Sequence, residues 1–245
     1  MAVVLIGIFV RAIPVSAQTC ASILTLNWSG YVAATDGQNP QGIITAVKGM
    51  WTVPLLHKDA TTGMMAIWVG VGGILAGDKT LIQAGVEANL LPNVIQYYVW
   101  YELFPNSQIR VALEVHAGDN VTVTIALVKQ PDQWRITIQN LATGREYTVV
   151  VRYRSSMRSA EWIVEAPLVC RSICEEQNLP SFDRVVFTDS MATIQGVDLA
   201  IDHNWHDSLV LVRVKANAAI ALTDNSPLLR NGTSFVVTPR EPPIP

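Results

Sequence analysis

Ala160-Glu161-Trp162-Ile163-Val164-Glu165-Ala166-Pro167 alternates polar and apolar residues over the length of one strand. Side chains on a β-strand repeat with a period of two. The pattern therefore puts Glu161, Ile163 and Glu165 on one face and Trp162, Val164 and Ala166 on the other. Two carboxylates on one face of a Trp-anchored strand stand out in a chain with only 15% charged residues. Upstream, Leu81-Ile82-Gln83-Ala84-Gly85-Val86-Glu87 repeats the pattern, with Gln83, Gly85 and Glu87 sharing a face. A carboxylate and a carboxamide on rigid strands can supply a general base and an oxyanion donor.

Outward from these two segments, the rest of the chain also reads as short strands. Candidates cover 29–34, 43–53, 64–71, 80–87, 95–104, 109–115, 120–129, 133–140, 145–153, 161–165, 184–191, 209–216 and 234–238. Val, Ile, Thr, Tyr and Trp fill them, and turn signals such as Asp36-Gly37, Gly118-Asp119 and Asn231-Gly232 separate them. No stretch of a dozen residues carries a helical period. Many short strands at this spacing predict an all-β sandwich or barrel. With no repeat and no low-complexity linker, 18–238 is read as one domain, and 239–245 as a Pro-rich tail.

Bulk composition narrows the function classes. The chain has 245 residues, half of them hydrophobic, enough for a sizeable core. Its charged fraction is well below the roughly 25% usual in soluble domains. The formal net charge is −3 and no basic stripe is visible, which argues against nucleic acid as a partner. Residues 2–10 are apolar and Val15-Ser16-Ala17 fits a small-residue cleavage site. Residues 1–17 are therefore read as a signal peptide, which predicts a secreted protein with no membrane contact after processing. The alternative is a buried N-terminal strand. Of the three cysteines, Cys170 and Cys174 could close a small loop and leave Cys20 free, or all three could be free thiols.

Six motifs in order resemble one known family. They are Asn27-Trp28-Ser29-Gly30-Tyr31, Trp51-Thr52-Val53-Pro54, Trp68-Val69-Gly70-Val71-Gly72-Gly73, Ile82-Gln83-Ala84-Gly85-Val86-Glu87, Trp100-Tyr101-Glu102-Leu103-Phe104-Pro105 and Ala160-Glu161-Trp162-Ile163-Val164-Glu165. Together they resemble the glutamic peptidases, or eqolisins, from Asn27 to about Phe187. The resemblance implies an antiparallel β-sandwich of two large curved sheets, and acid endopeptidase activity insensitive to pepstatin. It also implies a Gln/Glu catalytic dyad, which falls here on Gln83 and Glu165. Peptides and proteins would be the substrates, with no cofactor and a monomeric enzyme. Three departures from the fungal members stand out: Gly72 where an Asp is usual, Leu103 where a second Trp is usual, and no room for a folded propeptide. They point to a bacterial-type branch.

On this reading Glu165 is the base, and an ordinary Glu titrates near pH 4.3. Its maximum rate is then expected at about pH 2–5. Gln83 is the oxyanion donor. Trp68 walls the cleft, Glu102 is a hydrogen-bond partner beside the dyad, and Glu87 supports Gln83. Glu161 shares the face of Glu165 and is the other candidate for its role. Trp28, Trp51, Trp100, Trp134 and Trp205 are read mainly as packing.

Other chemistries lack their residues. There is no Gly-x-Ser-x-Gly, no Asp-Thr-Gly or Asp-Ser-Gly pair, and no His-Glu-x-x-His. The segment from Asp202 to Asp207 has metal-ligand residue types but reads as a polar loop, so no metal is expected. Asn27, Asn120 and Asn231 each begin a glycosylation sequon. The competing function is a non-catalytic sandwich that binds carbohydrate or peptide through exposed aromatics. An inactive relative with its cleft filled is a third reading. Both alternatives turn on whether Gln83 and Glu165 share an open concave face.

Overall fold

In the computed structural model the chain is described over residues 2–4, 9–10, 22–34, 43–57, 62–170, 174–203, 205–215 and 218–240. Among them the only helical element is a three-residue 3-10 turn, Ile201–His203. Two large sheets hold almost everything else. The first runs Phe9–Val10, Ile23–Thr25, Trp205–Lys215, Trp28–Ala34, Ser159–Glu165, Gly63–Val71, Leu81–Leu90, Ile95–Phe104, Ile109–Arg110. The second runs Arg145–Arg152, Gln133–Asn140, Asn120–Lys129, Ile44–Thr52, Val185–Ile194, Phe235–Pro239, Thr223–Asn225. Neighbours are antiparallel except Ile23–Thr25, which lies parallel to Trp205–Lys215. A small third sheet joins Ala2–Val4, Leu168–Cys170 and Cys174–Glu176.

The alternation in sequence sorts the two faces as expected. Ala160, Trp162 and Val164 join Val69, Val71, Ile82 and Ala84 in the core shared with the second sheet, beside Val121, Val123 and Ile136. The Trp162 indole donates to the Lys48 carbonyl at 2.8 Å across that core. The opposite face of the first sheet carries a second apolar cluster of Trp28, Trp68, Trp100, Leu81, Ile163 and Val169. The polar residues singled out from sequence lie on this second face, away from the other sheet.

Several expectations shift. The segment 109–115 is a strand only over Ile109–Arg110. Val111, Leu113 and Val115 are nevertheless buried in the core. Their alternation comes from an extended chain packing on the core, without a partner strand. The strand expected at 209–216 begins earlier, at Trp205. Short strands at Ile23–Thr25, Leu168–Cys170 and Cys174–Glu176 have too few residues to show a period. Cys170 and Cys174 are register partners in the third sheet. Cys20 and most of 1–17 lie outside the described residues, as does the end of the tail.

Candidate active site

The strand register builds the site as three rows across the first sheet. One row reads Trp28, Glu165, Ala66, Glu87, Tyr98. The next reads Gly30, Ile163, Trp68, Gly85, Trp100. The third reads Val32, Glu161, Gly70, Gln83, Glu102. Successive rows are two residues apart along each strand, so all three present side chains on the same face. Gly85 sits at the centre. A Cβ there would lie 2.0 Å from the Ile67 carbonyl oxygen and 2.7 Å from the Trp68 Cβ. A glycine at this position lets two strands approach closely and keeps the face between Gln83 and Glu87 free of side chain.

Glu165 stands on a central strand, fully buried. The Asn27 amide donates to its Oε1 at 3.0 Å and the Trp68 indole to its Oε2 at 2.8 Å. Trp28 and Trp68 meet edge to face, with ring centroids 5.0 Å apart. Backbone bonds brace the same corner: Ala166 donates to the Asn27 carbonyl at 2.8 Å, and Trp28 to the Thr25 hydroxyl at 2.9 Å. Burial pushes the Glu165 carboxyl up to about 8. Donors from Trp68, Trp28 and Asn27 pull it down, and the charge of Glu102 pushes it up further. Desolvation outweighs the donors, because a carboxylate loses more in leaving water than these hydrogen bonds return.

Gln83 is also fully buried, and its amide donates to Glu102 Oε2 at 2.5 Å. When Glu102 is ionised it can only accept, and the amide nitrogen of Gln83 must face it. One amide hydrogen is thereby used and the second remains to donate. The carbonyl oxygen of Gln83 and Oε1 of Glu102 are buried without a partner among the described residues. Burial also raises Glu102 to about 8, with the Gln83 amide opposing it. Glu102 is thus in direct contact with one member of the expected dyad and electrostatically coupled to the other.

The remaining candidates separate from the pair. Glu87 takes its hydrogen bond from Gln108 at 3.1 Å, next to the Tyr98 hydroxyl. It shares a row with Glu165, with only Ala66 between them, and its side chain bonds Gln108. Glu161 is fully buried, and neither oxygen has a hydrogen bond of good geometry. Burial holds its carboxyl well above the ordinary range, only partly offset by the nearby Ser159 hydroxyl, and the Asp78 charge adds to the rise. It lies in the row of Gln83, four residues along the strand from Glu165.

Asp78 gathers the loop that follows Trp68. It accepts from Gly73 N at 3.1 Å, Thr80 N at 2.9 Å, Thr80 Oγ1 at 2.7 Å and Ser156 Oγ at 2.5 Å. Burial opposes its charge, yet the donors, Ser156 first, hold it below the ordinary range. Gly72 has φ +94, a conformation that disfavours any side chain, and a Cβ there would sit 3.1 Å from Thr80 Oγ1. Asp78 is the carboxylate that ties this loop together.

Two differences from the sequence reading matter for function. Neither Gln83 nor Glu165 is open to solvent, the outcome the sequence reading attached to an inactive relative, so hydrolysis requires the apolar cover over the pair to move aside. Apolar side chains surround them, with Ile23, Met64, Ile74, Tyr98 and Phe104 packed on the second cluster. And Asn27 and Trp28, read as a domain opening and a packing residue, are ligands of the Glu165 carboxyl. Their adjacency in the first motif was the only signal. Asn27, 1% exposed and bonded to Glu165, is closed to glycosylation in the folded protein, whereas Asn120 and Asn231 are exposed. Among the described residues no group of three or more His, Cys, Asp or Glu is placed to hold a metal ion. His203 pairs with Asp202 at 2.9 Å, and His57 with Asp183 at 2.8 Å.

Comparison with known proteins agrees with this fold. The profile of the peptidase A4 family matches residues 26–228. The fold matches Scytalido-glutamic peptidase, solved with a peptide-based transition-state analog, with a TM-score of 0.71 and 22% identity over 88% of this chain and 98% of that one. It also matches SCP-B, a member of the Eqolisin family of peptidases solved with the tripeptide Ala-Ile-His, with a TM-score of 0.68 and 21% identity over 88% and 98%. Aspergilloglutamic peptidase from Aspergillus niger aligns with a TM-score of 0.59 and 24% identity over 73% and 99%. No curated protein matches by sequence.

Proposed function

The chain belongs to the peptidase A4 family, the glutamic peptidases, and from that premise we propose that Glu165 and Gln83 hydrolyse internal peptide bonds using a water molecule. The observation that carries the reading is the polar set on one face of the sheet, with Glu165 held by Asn27 and Trp68 and Gln83 held by Glu102. Ionised Glu165 takes a proton from the water, whose oxygen bonds to the scissile carbonyl carbon. The carbonyl oxygen becomes an oxyanion and accepts the free N–H of Gln83. The intermediate collapses, the C–N bond breaks, and the proton on Glu165 passes to the leaving amine. The sandwich acts as a secreted monomer, with no cofactor and no nucleic-acid partner. No described helix is long and apolar enough to cross a membrane.

Burial revises the pH expectation. A base at about 8 is less ionised in acid than an ordinary Glu, so the rising limb of the rate moves up from pH 4 toward neutrality. The test of the dyad is direct. Glu165→Gln should abolish peptide hydrolysis, and Gln83→Ala should lower kcat about 100- to 1000-fold. Wild-type activity should survive chelators, thiol reagents and pepstatin. Near wild-type turnover in folded Glu165→Gln would remove Glu165 from the mechanism and bring forward Glu161.

A further inference from the structure

The middle row of the site does not stop at Trp100. Trp100 pairs with Arg110 on the short edge strand Ile109–Arg110, so the row runs on from Trp68, Gly85 and Trp100 to Arg110. Register partners in an antiparallel pair share a face, which puts the Arg110 side chain on the face of Gln83 and Glu165. Its guanidinium carbon lies over the Tyr98 ring, 3.5 Å from the centroid. Tyr98 in turn ends the row of Glu165, Ala66 and Glu87.

This stacking decides what Arg110 can do. Attraction to the ring holds the cation in place and leaves its in-plane N–H donors for a planar acceptor such as a carboxylate. Arg110 is exposed, so those donors face the solvent side of the site. Glu87, the carboxylate of this corner, is buried and takes its bond from Gln108. Among the described residues Arg110 has no ion pair with a carboxylate, whereas Arg152 and Arg240 each have one. The strand of Arg110 lies two places beyond that of Gln83 in the sheet. At about 4.8 Å per strand this is about 10 Å, the span of about three extended residues.

We propose that Arg110 is a specificity residue that binds a substrate carboxylate about three residues from the scissile bond. The proposal rests on the peptidase reading above and extends it to substrate choice. The carboxylate comes from an acidic side chain or from the end of the peptide chain.

The experiment uses the full chain and octapeptides capped at both ends, with Glu or Gln at the third residue on either side of the scissile bond. A shorter peptide that ends at the third residue, as free acid or amide, tests the chain end as the source. At about pH 6 a peptide carboxyl is ionised. Wild type should prefer the acid in at least one pair, with kcat/KM about three- to tenfold higher and the gain mostly in KM. That acid-to-amide ratio should fall to about one in Arg110→Gln and below one in Arg110→Glu. A ratio taken within one variant is insensitive to how much of that variant is folded. Wild-type ratios near one in every pair, or a preference kept in Arg110→Gln, would overturn the assignment and leave the peptidase reading standing. If no peptide is cleaved, the same ratios are read as binding by fluorescence anisotropy. An acid preference lost in Arg110→Gln would then keep the carboxylate site and overturn the peptidase reading, and no preference would overturn both.

Discussion

At the scale of single residues, the basicity of Glu165 is set by opposing neighbours whose contributions can be removed one at a time. The Trp68 indole donates to its carboxylate and lowers its pKa, while the Glu102 charge raises it. Trp68→Phe keeps the ring and deletes the N–H. The carboxylate loses a donor, its pKa rises, and the rising limb of kcat/KM against pH should move up by about one unit. Glu102→Gln keeps a carbonyl oxygen for the Gln83 amide and deletes the charge. The pKa of Glu165 then falls, and the same limb should move to lower pH. This shift should be the smaller one, because the indole bond is the stronger of the two influences. Profiles of both variants on one peptide check the signs. A common direction would mean that Glu165 is not the group titrating in the rate.

At the scale of elements, the site depends on how closely the Gly63–Val71 and Leu81–Leu90 strands approach at Gly85. Gly85→Ala puts a carbon 2.0 Å from a backbone oxygen, which no side-chain rotation can relieve. The cost should reach or exceed the upper end of the roughly 1–3 kcal/mol usual for overpacking. Gly144→Ala is the control. Its φ is +68 and nothing lies within 4 Å, so it should cost about 1–2 kcal/mol from backbone strain alone. Denaturant midpoints of the two variants separate close approach from conformational freedom, and equal costs would refute the packing role. Strand periodicity made the two faces of the Glu165 and Gln83 strands legible from sequence, because each has seven or more residues and one apolar face. It could not show that the face bearing Glu165 is itself apolar and closed, since that depends on Trp28, Trp68 and Trp100 arriving from three different strands. The role of Asn27 was hidden for the same reason: its contact with Glu165 spans 138 positions.

At the scale of the whole molecule, buried carboxyls tie stability to pH. Glu102, Glu161 and Glu165 are all buried, and all have folded-state pKa values above the ordinary one, with burial as the first cause. In the unfolded chain each returns to water and titrates near the ordinary Glu value of about 4.3. Between that value and the folded one, the native state holds protons that the unfolded state has released. Stability therefore falls with rising pH across this window. The contribution is fully present below about pH 4 and is lost progressively as pH passes through about 8, where Glu102 and Glu165 ionise in place. This is the reverse of a protein whose carboxylates are held by salt bridges, which loses stability in acid. The pairs of Arg152 with Asp132 and Arg240 with Asp224 act in the opposite sense, and both members of the second are about half exposed. Tm should therefore be higher at pH 5 than at pH 9 in buffers of matched ionic strength. Glu161→Gln, which removes a carboxyl outside the dyad, should flatten that difference by making the buried group neutral at every pH. A Tm that rises from pH 5 to pH 9, or a slope unchanged in Glu161→Gln, would show that these carboxyls do not govern the stability of the fold.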